Sequence, residues 1–171
     1  MSSNIQRLAQ AWLDMRPHKA GETVQFGWFI FRIVSEGSPP LLETLDFKAI
    51  ASFTTDFTKV EQIHVAQQKM LEANGVEGED CTLRHSALVS RSYAPGLKDA
   101  FLKRDDPLKG NASGWYVGVE NETLDIDNNL DSFVLKSLYE LSIKDERMYP
   151  YWLLPVGTTV FLESGRVARS T

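Results

Sequence analysis

The sequence predicts an α+β fold, a mainly antiparallel sheet with a few packed helices. Three observations predict it. Runs rich in β-branched and aromatic residues dominate the chain. The helical patterns between them lack the regular alternation that builds a parallel sheet. Gly- and Pro-containing breaks separate the runs. The 171 residues are 43% hydrophobic and 24% charged, ordinary globular proportions. A chain of this length buries roughly two-thirds of its unfolded surface, so its core needs neither metal nor disulfide.

Residues 4–16 carry Leu8, Ala11, Trp12 and Met15 at helical spacing, which predicts a short amphipathic helix. Thr23 to Val34 is rich in β-branched and aromatic residues and predicts one long strand. Gly37-Ser-Pro-Pro40 ends it, and Leu41 to Phe53 predicts a second strand. Thr58-Lys-Val-Glu61 matches a capping box. Val60, Ile63, His64, Gln67, Met70 and Leu71 follow at helical spacing, and Asn74-Gly75 supplies a C-cap, so a helix is expected over 57–74. Glu77 to Asp80 reads as a linker.

Downstream, strands are expected at Ser86–Ser90, Trp115–Glu120 and Gly157–Glu163. Tyr93 to Gly96 is a turn, Arg104 to Gly114 a loop, and Asp145 to Leu154 a short helix ending before Pro155. Leu97–Lys103 and Ser132–Ile143 carry mixed signals. Trp28, Trp115 and Trp152 lie in apolar runs and are expected in the core. Residues 1–80 and 83–171 read as two α+β modules, either separate or packed as one unit. Gly27-Trp28-Phe29 and Gly114-Trp115-Tyr116 echo each other, too briefly to establish a repeat.

The chemistry-bearing residues exclude more than they suggest. His18, His64 and His85 have no second ligand at metal spacing. Asp125-Ile-Asp127-Asn-Asn129 opens like a calcium loop. Its sixth and twelfth positions are Leu130 and Lys136 instead of Gly and Glu. Phosphate-binding glycine motifs and a serine nucleophile elbow are absent. Carboxylates such as Asp105 and Asp106 read as a solvated loop. The single cysteine, Cys81, excludes an internal disulfide. It follows acidic residues that disfavour a thiolate. The expectation is a non-enzyme with no cofactor and no metal.

The N-terminus lacks the unbroken apolar run of a secretory leader, and no run approaches the roughly 20 residues of a membrane span. A cytoplasmic protein with no membrane partner is expected. The chain carries −5 overall, and Glu120, Glu122, Asp125, Asp127 and Asp131 form an acidic stretch without Lys or Arg. Across 120–146, eight acidic residues face two basic ones, a net −6 that exceeds the chain total. Such a surface repels phosphate backbones, so nucleic acid is a poor partner. It attracts a basic protein and speeds the encounter. On composition alone the stretch could equally be a solvated loop.

From about Leu83 onward the chain resembles a family of bacterial toxin-immunity proteins, immunity family thirty-three, formerly a domain of unknown function. The resemblance rests on ordered features. They are Leu88-Val-Ser-Arg91, Lys103-Arg104-Asp-Asp-Pro107, Ser113-Gly-Trp115, the acidic stretch from Glu120, and Pro150 to Glu163 with its Leu-x-x-Pro-x-Gly step into a strand. Ala112 departs from it, standing where the family pattern has an acidic residue. The resemblance implies a protein that occludes a cognate toxin. With no leader, the toxin would act in the cytoplasm. A nuclease-type effector of a contact-dependent or type VI secretion system, with a basic cleft, fits the acidic stretch. Glu120, Glu122, Asp125, Asp127 and Asp131 are then the expected contact surface. A general interaction module is the alternative, and a small hydrolase or transferase without a recognisable motif the third reading.

Overall fold

The computed structural model describes residues 4–121 and 130–170. Among them are three α-helices and ten strands in two sheets, an α+β arrangement dominated by antiparallel pairing. The N-terminal helix α1 (Asn4–Asp14) buries Ile5, Ala9 and Leu13, a stripe of every fourth residue. That stripe is rotated from the one the sequence suggests: Leu8 and Met15 face solvent at 46% and 78% exposure.

The run expected as one strand is a hairpin. β1 (Thr23–Phe26) and β2 (Phe29–Ser35) pair antiparallel, with Phe26 opposite Phe29. The two-residue turn between them places Gly27 at φ 57, a position where a β-carbon is disfavoured and glycine is not. The aromatic run conceals the turn because Trp28 is itself buried. β3 (Leu41–Leu45) and the short β4 (Phe53–Thr54) complete a four-stranded sheet in the order β1-β2-β3-β4. The expected strand to Phe53 is therefore broken. Residues 46–52 turn, with Ala51 at φ 60.

Helix α2 (Thr58–Asn74) buries Val60, Ile63, Gln67 and Leu71, and Gln67 Nε2 donates to Tyr149 O at 3.1 Å. Phe57 stacks on Phe31 with centroids 5.8 Å apart, and His64 meets Phe29 edge-on at 6.1 Å. The helix closes on Gly75 at φ 61. The Gly75 N–H donates to Glu72 O and the Val76 N–H to Leu71 O, so two otherwise free carbonyls gain partners. The expected capping box does not form. Thr58 is already helical, and Asp56 Oδ1 accepts its N–H at 2.9 Å. Glu61 turns instead to α1, where it accepts the Ile5 N–H at 3.0 Å. The carboxylate thus caps a neighbouring helix rather than its own.

The second sheet has six strands in the order β10-β9-β6-β7-β5-β8. They are β5 (Ser86–Ser90), β6 (Ala100–Arg104), β7 (Ala112–Val119), β8 (Phe133–Ser137), β9 (Thr158–Phe161) and β10 (Arg166–Arg169). Only β5 and β7 run parallel. The expected loop at 104–114 is shorter than predicted, since β6 includes Arg104 and β7 begins at Ala112. Helix α3 (Leu138–Lys144) follows β8 directly, and Ser137 Oγ caps it by accepting the Glu140 N–H at 3.1 Å. A single 3-10 turn at Tyr149–Tyr151 stands where a short helix is predicted.

The two Gly-Trp segments have unlike roles. Gly27 makes a turn, whereas Gly114 lies inside β7 at φ 80. A β-carbon on Gly114 would sit 2.1 Å from Asp105 O. The pairing of β5 with β7 shifts register there.

Buried side chains from Ile5 to Leu162 form one continuous core across both sheets. Trp28, Trp115 and Trp152 are all inside it, at 3%, 1% and 0% exposure. Trp115 meets Trp152 edge-on at 5.6 Å. Trp115 Nε1 donates to Trp152 O at 3.0 Å, and Trp152 Nε1 donates to Ser142 Oγ at 2.9 Å. Beside them Arg104, 2% exposed, donates to the carbonyls of Ser113, Leu154 and Asp80 at 3.3, 2.6 and 3.3 Å. A charged side chain is thereby buried with its donors shared among three segments.

Candidate functional site

The acidic stretch joins β7 to β8, which flank β5 on opposite sides. Because β5 is parallel to β7 and antiparallel to β8, both junctions lie at the C-terminal end of β5. Glu120 follows β7 and is exposed; its N–H donates to Asp99 O at 2.7 Å. Asp131 is exposed in a 3-10 turn (Leu130–Ser132) leading into β8. Arg91, just beyond β5, secures this junction. Its backbone N–H donates to Ser132 O at 2.9 Å and its Nε to Asp131 O at 2.6 Å. Glu122, Asp125 and Asp127 lie outside the described residues.

The turn after β5 is held by a buried carboxylate. Asp145 Oδ2 accepts the Tyr93 hydroxyl at 2.9 Å and the Gly96 N–H at 3.1 Å. Arg147 grips both carboxylate oxygens through Nε and Nη2 at 2.9 and 2.7 Å, and its Nη1 donates to Leu97 O at 3.0 Å. Burial raises the Asp145 pKa. The hydrogen bonds from Arg147, Gly96 and Tyr93 outweigh it and hold the carboxyl below its ordinary value. Burial, then the Asp145 charge, pushes the Tyr93 hydroxyl up. Sequence reading assigned Tyr93 to a turn and gave Asp145, Arg147 and Arg91 no such role, since their partners lie up to 52 residues away.

The structure also trims the acidic count. Among the described residues, three of the carboxylates between 120 and 146 are ion-paired. Glu140 meets Lys136 at 3.3 Å and Lys144 at 2.7 Å, Asp145 meets Arg147, and Glu146 meets Lys59 at 2.8 Å. Arg147 and Lys59 stand outside that window, so a local sum overstates the net charge. The acidic residues from Glu120 to Asp131 are unmatched by Lys or Arg within that stretch of the sequence. Even there Arg91 is present at the same end of the sheet.

The remaining reactive residue types are occupied or remote. Cys81 is buried, and burial pushes its thiol up to about 12, with Arg104 opposing and Asp80 adding to the shift. Burial, not the acidic neighbours named in the sequence, is the main cause. His85 Nδ1 accepts the Thr82 N–H at 3.3 Å, and His18 Nδ1 lies 3.1 Å from Arg16 O. Among the described residues, no group of three His, Cys, Asp or Glu is placed to hold a metal ion. No helix among them is long and apolar enough to cross a membrane. A hollow of about 710 Å³ lies between α1 and α2 and is open to solvent. Its Asp56 has a pKa lowered by the Thr58 hydrogen bonds, which leaves it a poor proton donor.

These features define a class: an α+β protein whose fixed strands present a charged segment at one sheet end. The chain belongs to the Imm33-like domain family, a family of immunity proteins, whose model matches residues 66–169. The match begins inside α2 and runs through β10, so it takes in the whole six-stranded sheet and leaves out the four-stranded one. No curated protein and no solved structure matches the chain.

Proposed function

We propose that this protein binds and neutralises a cognate toxin, and that the toxin is a nuclease with a basic cleft, delivered by contact-dependent or type VI secretion. Membership of an immunity family is the observation that carries the reading. The acidic stretch supports the partner's chemistry. Glu120, Glu122, Asp125, Asp127 and Asp131 offer five carboxylates without a basic residue among them, a charge pattern that competes for a phosphate-binding surface. Exposure of Glu120 and Asp131 at its two ends supports the stretch as the contact surface. A nuclease acts where nucleic acid is, so the complex would form in the cytoplasm. The single, buried and unpaired Cys81 fits a reducing compartment.

The test is a calorimetric titration against the product of the adjacent gene at two salt concentrations. Wild type should bind with nanomolar affinity and weaken with salt. Asp125→Lys with Asp127→Lys should lose about 100-fold, on the order of 2.7 kcal/mol, and flatten the salt dependence. Unchanged affinity in that variant removes the acidic stretch from the interface. No binding to a folded, active neighbour removes the toxin reading itself.

A further inference from the structure

A hollow of about 680 Å³ lies on the face of β5 and β8 beside α3. Val89, Val134 and Leu141 form its apolar floor, and Arg91, Lys136 and Lys144 line it. Strand register explains the convergence. Val89 pairs with Val134, and alternate residues share a face, so Lys136 projects to the side of these valines, and Arg91, in the turn just beyond β5, lines the same hollow. Lys144 joins them from one helical turn beyond Leu141. The described lining thus holds three cations and no carboxylate. Lys136 and Lys144 reach the same Oε1 of Glu140, at 3.3 and 2.7 Å. Arg91 gives its Nε to a neutral carbonyl, Asp131 O, and forms no ion pair among the described residues. Of the other nearby charges, Asp145 is already paired with Arg147. Exposed Asp131 adjoins Arg91, so among the described residues three cations meet two carboxylates, Glu140 and Asp131, an excess of one positive charge in a chain of net −5. The lysine side chains remain 29% and 41% exposed and open to a ligand.

We infer that this hollow is an oxyanion site that accepts a phosphate or carboxylate group, with Arg91, Lys136 and Lys144 as its donors. Glu140 acts as an internal competitor that keeps the lysines together when the site is empty. The apolar floor lowers the local dielectric and strengthens the attraction. The inference goes beyond the toxin-binding reading and stands without it.

The experiment is a titration of the full chain with sodium tripolyphosphate at low salt, followed by backbone amide NMR shifts and calorimetry. Saturable shifts at Val89–Arg91 and Val134–Lys136 are expected. Lys136→Gln with Lys144→Gln should weaken binding at least tenfold, while Lys69→Gln, in the hollow beside α1, should leave it unchanged. Glu140→Gln should bind several-fold tighter, a gain that a folding defect would not produce. No saturable shifts, or equal affinity in the lysine and Glu140 variants, overturns the site. Addition of the adjacent-gene product then identifies the anion's source. Displacement of tripolyphosphate assigns the site to an acidic group of that partner, and simultaneous binding assigns it to a free small anion. Both results support the site.

Discussion

The two sheets are held by different means. The four-stranded sheet is packed with aromatic rings: Trp28 stacks near Phe47, Phe29 lies between Trp28 and Phe31, and Phe31 stacks on Phe57. The indole N–H of Trp28 is buried without a hydrogen-bond partner. The six-stranded sheet has directional ties in its interior. Arg104 bonds three carbonyls, Trp115 and Trp152 both donate, and Asp145 gathers a turn. Aromatic packing tolerates substitutions of similar volume, whereas a satisfied buried donor specifies one partner at one distance. The part of the molecule that the family model covers is thus the part specified by geometry. The other part is specified mainly by shape.

The sharpest way to break this contrast is Arg104→Leu. It orphans the carbonyls of Ser113, Leu154 and Asp80, and should destabilise the protein by about 3 kcal/mol or more in urea unfolding. A loss under about 1 kcal/mol would mean the arginine is a passenger.

Asp145→Asn should cost about 2 kcal/mol at neutral pH, because charged hydrogen bonds to Arg147, Tyr93 and Gly96 weaken together. The sign of its pH dependence follows from the lowered pKa. The carboxylate's contribution is complete above the unfolded-state value, about 3.9, and fades as pH falls through and below it. The gap between wild type and variant should therefore narrow below about pH 4, and a gap constant from pH 7 to 3 would contradict the assignment.

The finest comparison sets Trp152→Phe against Trp28→Phe. Both lose ring volume, but only the first loses a made hydrogen bond, to Ser142. Trp152→Phe should be the more destabilising by about 1 kcal/mol. Equal losses would dissolve the distinction between the two sheets.

Much of the fold was legible because periodicity reports burial. α2 with its Gly75 terminus and the strands at 86–90, 115–119 and 158–161 stand where the pattern predicts them. The misses share a cause. The turn at Gly27 hides in an aromatic run because its neighbour Trp28 is buried, and β10 is too short and polar to signal itself. Arg104 reads as a loop residue because charge normally marks surface; its burial depends on carbonyls up to 50 residues away. The acidic stretch was legible as charge. Its neighbours Arg91 and Asp145 were not, because Arg91 reaches Asp131 and Asp145 reaches Tyr93 across 40 and 52 residues, contacts that sequence spacing does not encode.

In the six-stranded sheet, the exposed carboxylates and the contacts that fix their strands are separate sets of atoms. Glu120 and Asp131 stand at the same end of the sheet with only β5 between their strands, an offset of about 10 Å across two strand spacings. Arg91 ties the second of these posts through backbone carbonyls, whose chemistry is independent of the side chains there. The junction between β5 and β8 is therefore keyed by main-chain atoms, and the identity of the Asp131 side chain does not enter it. A change of charge at Asp131 would alter what the sheet end shows to solvent and leave the joint behind it made.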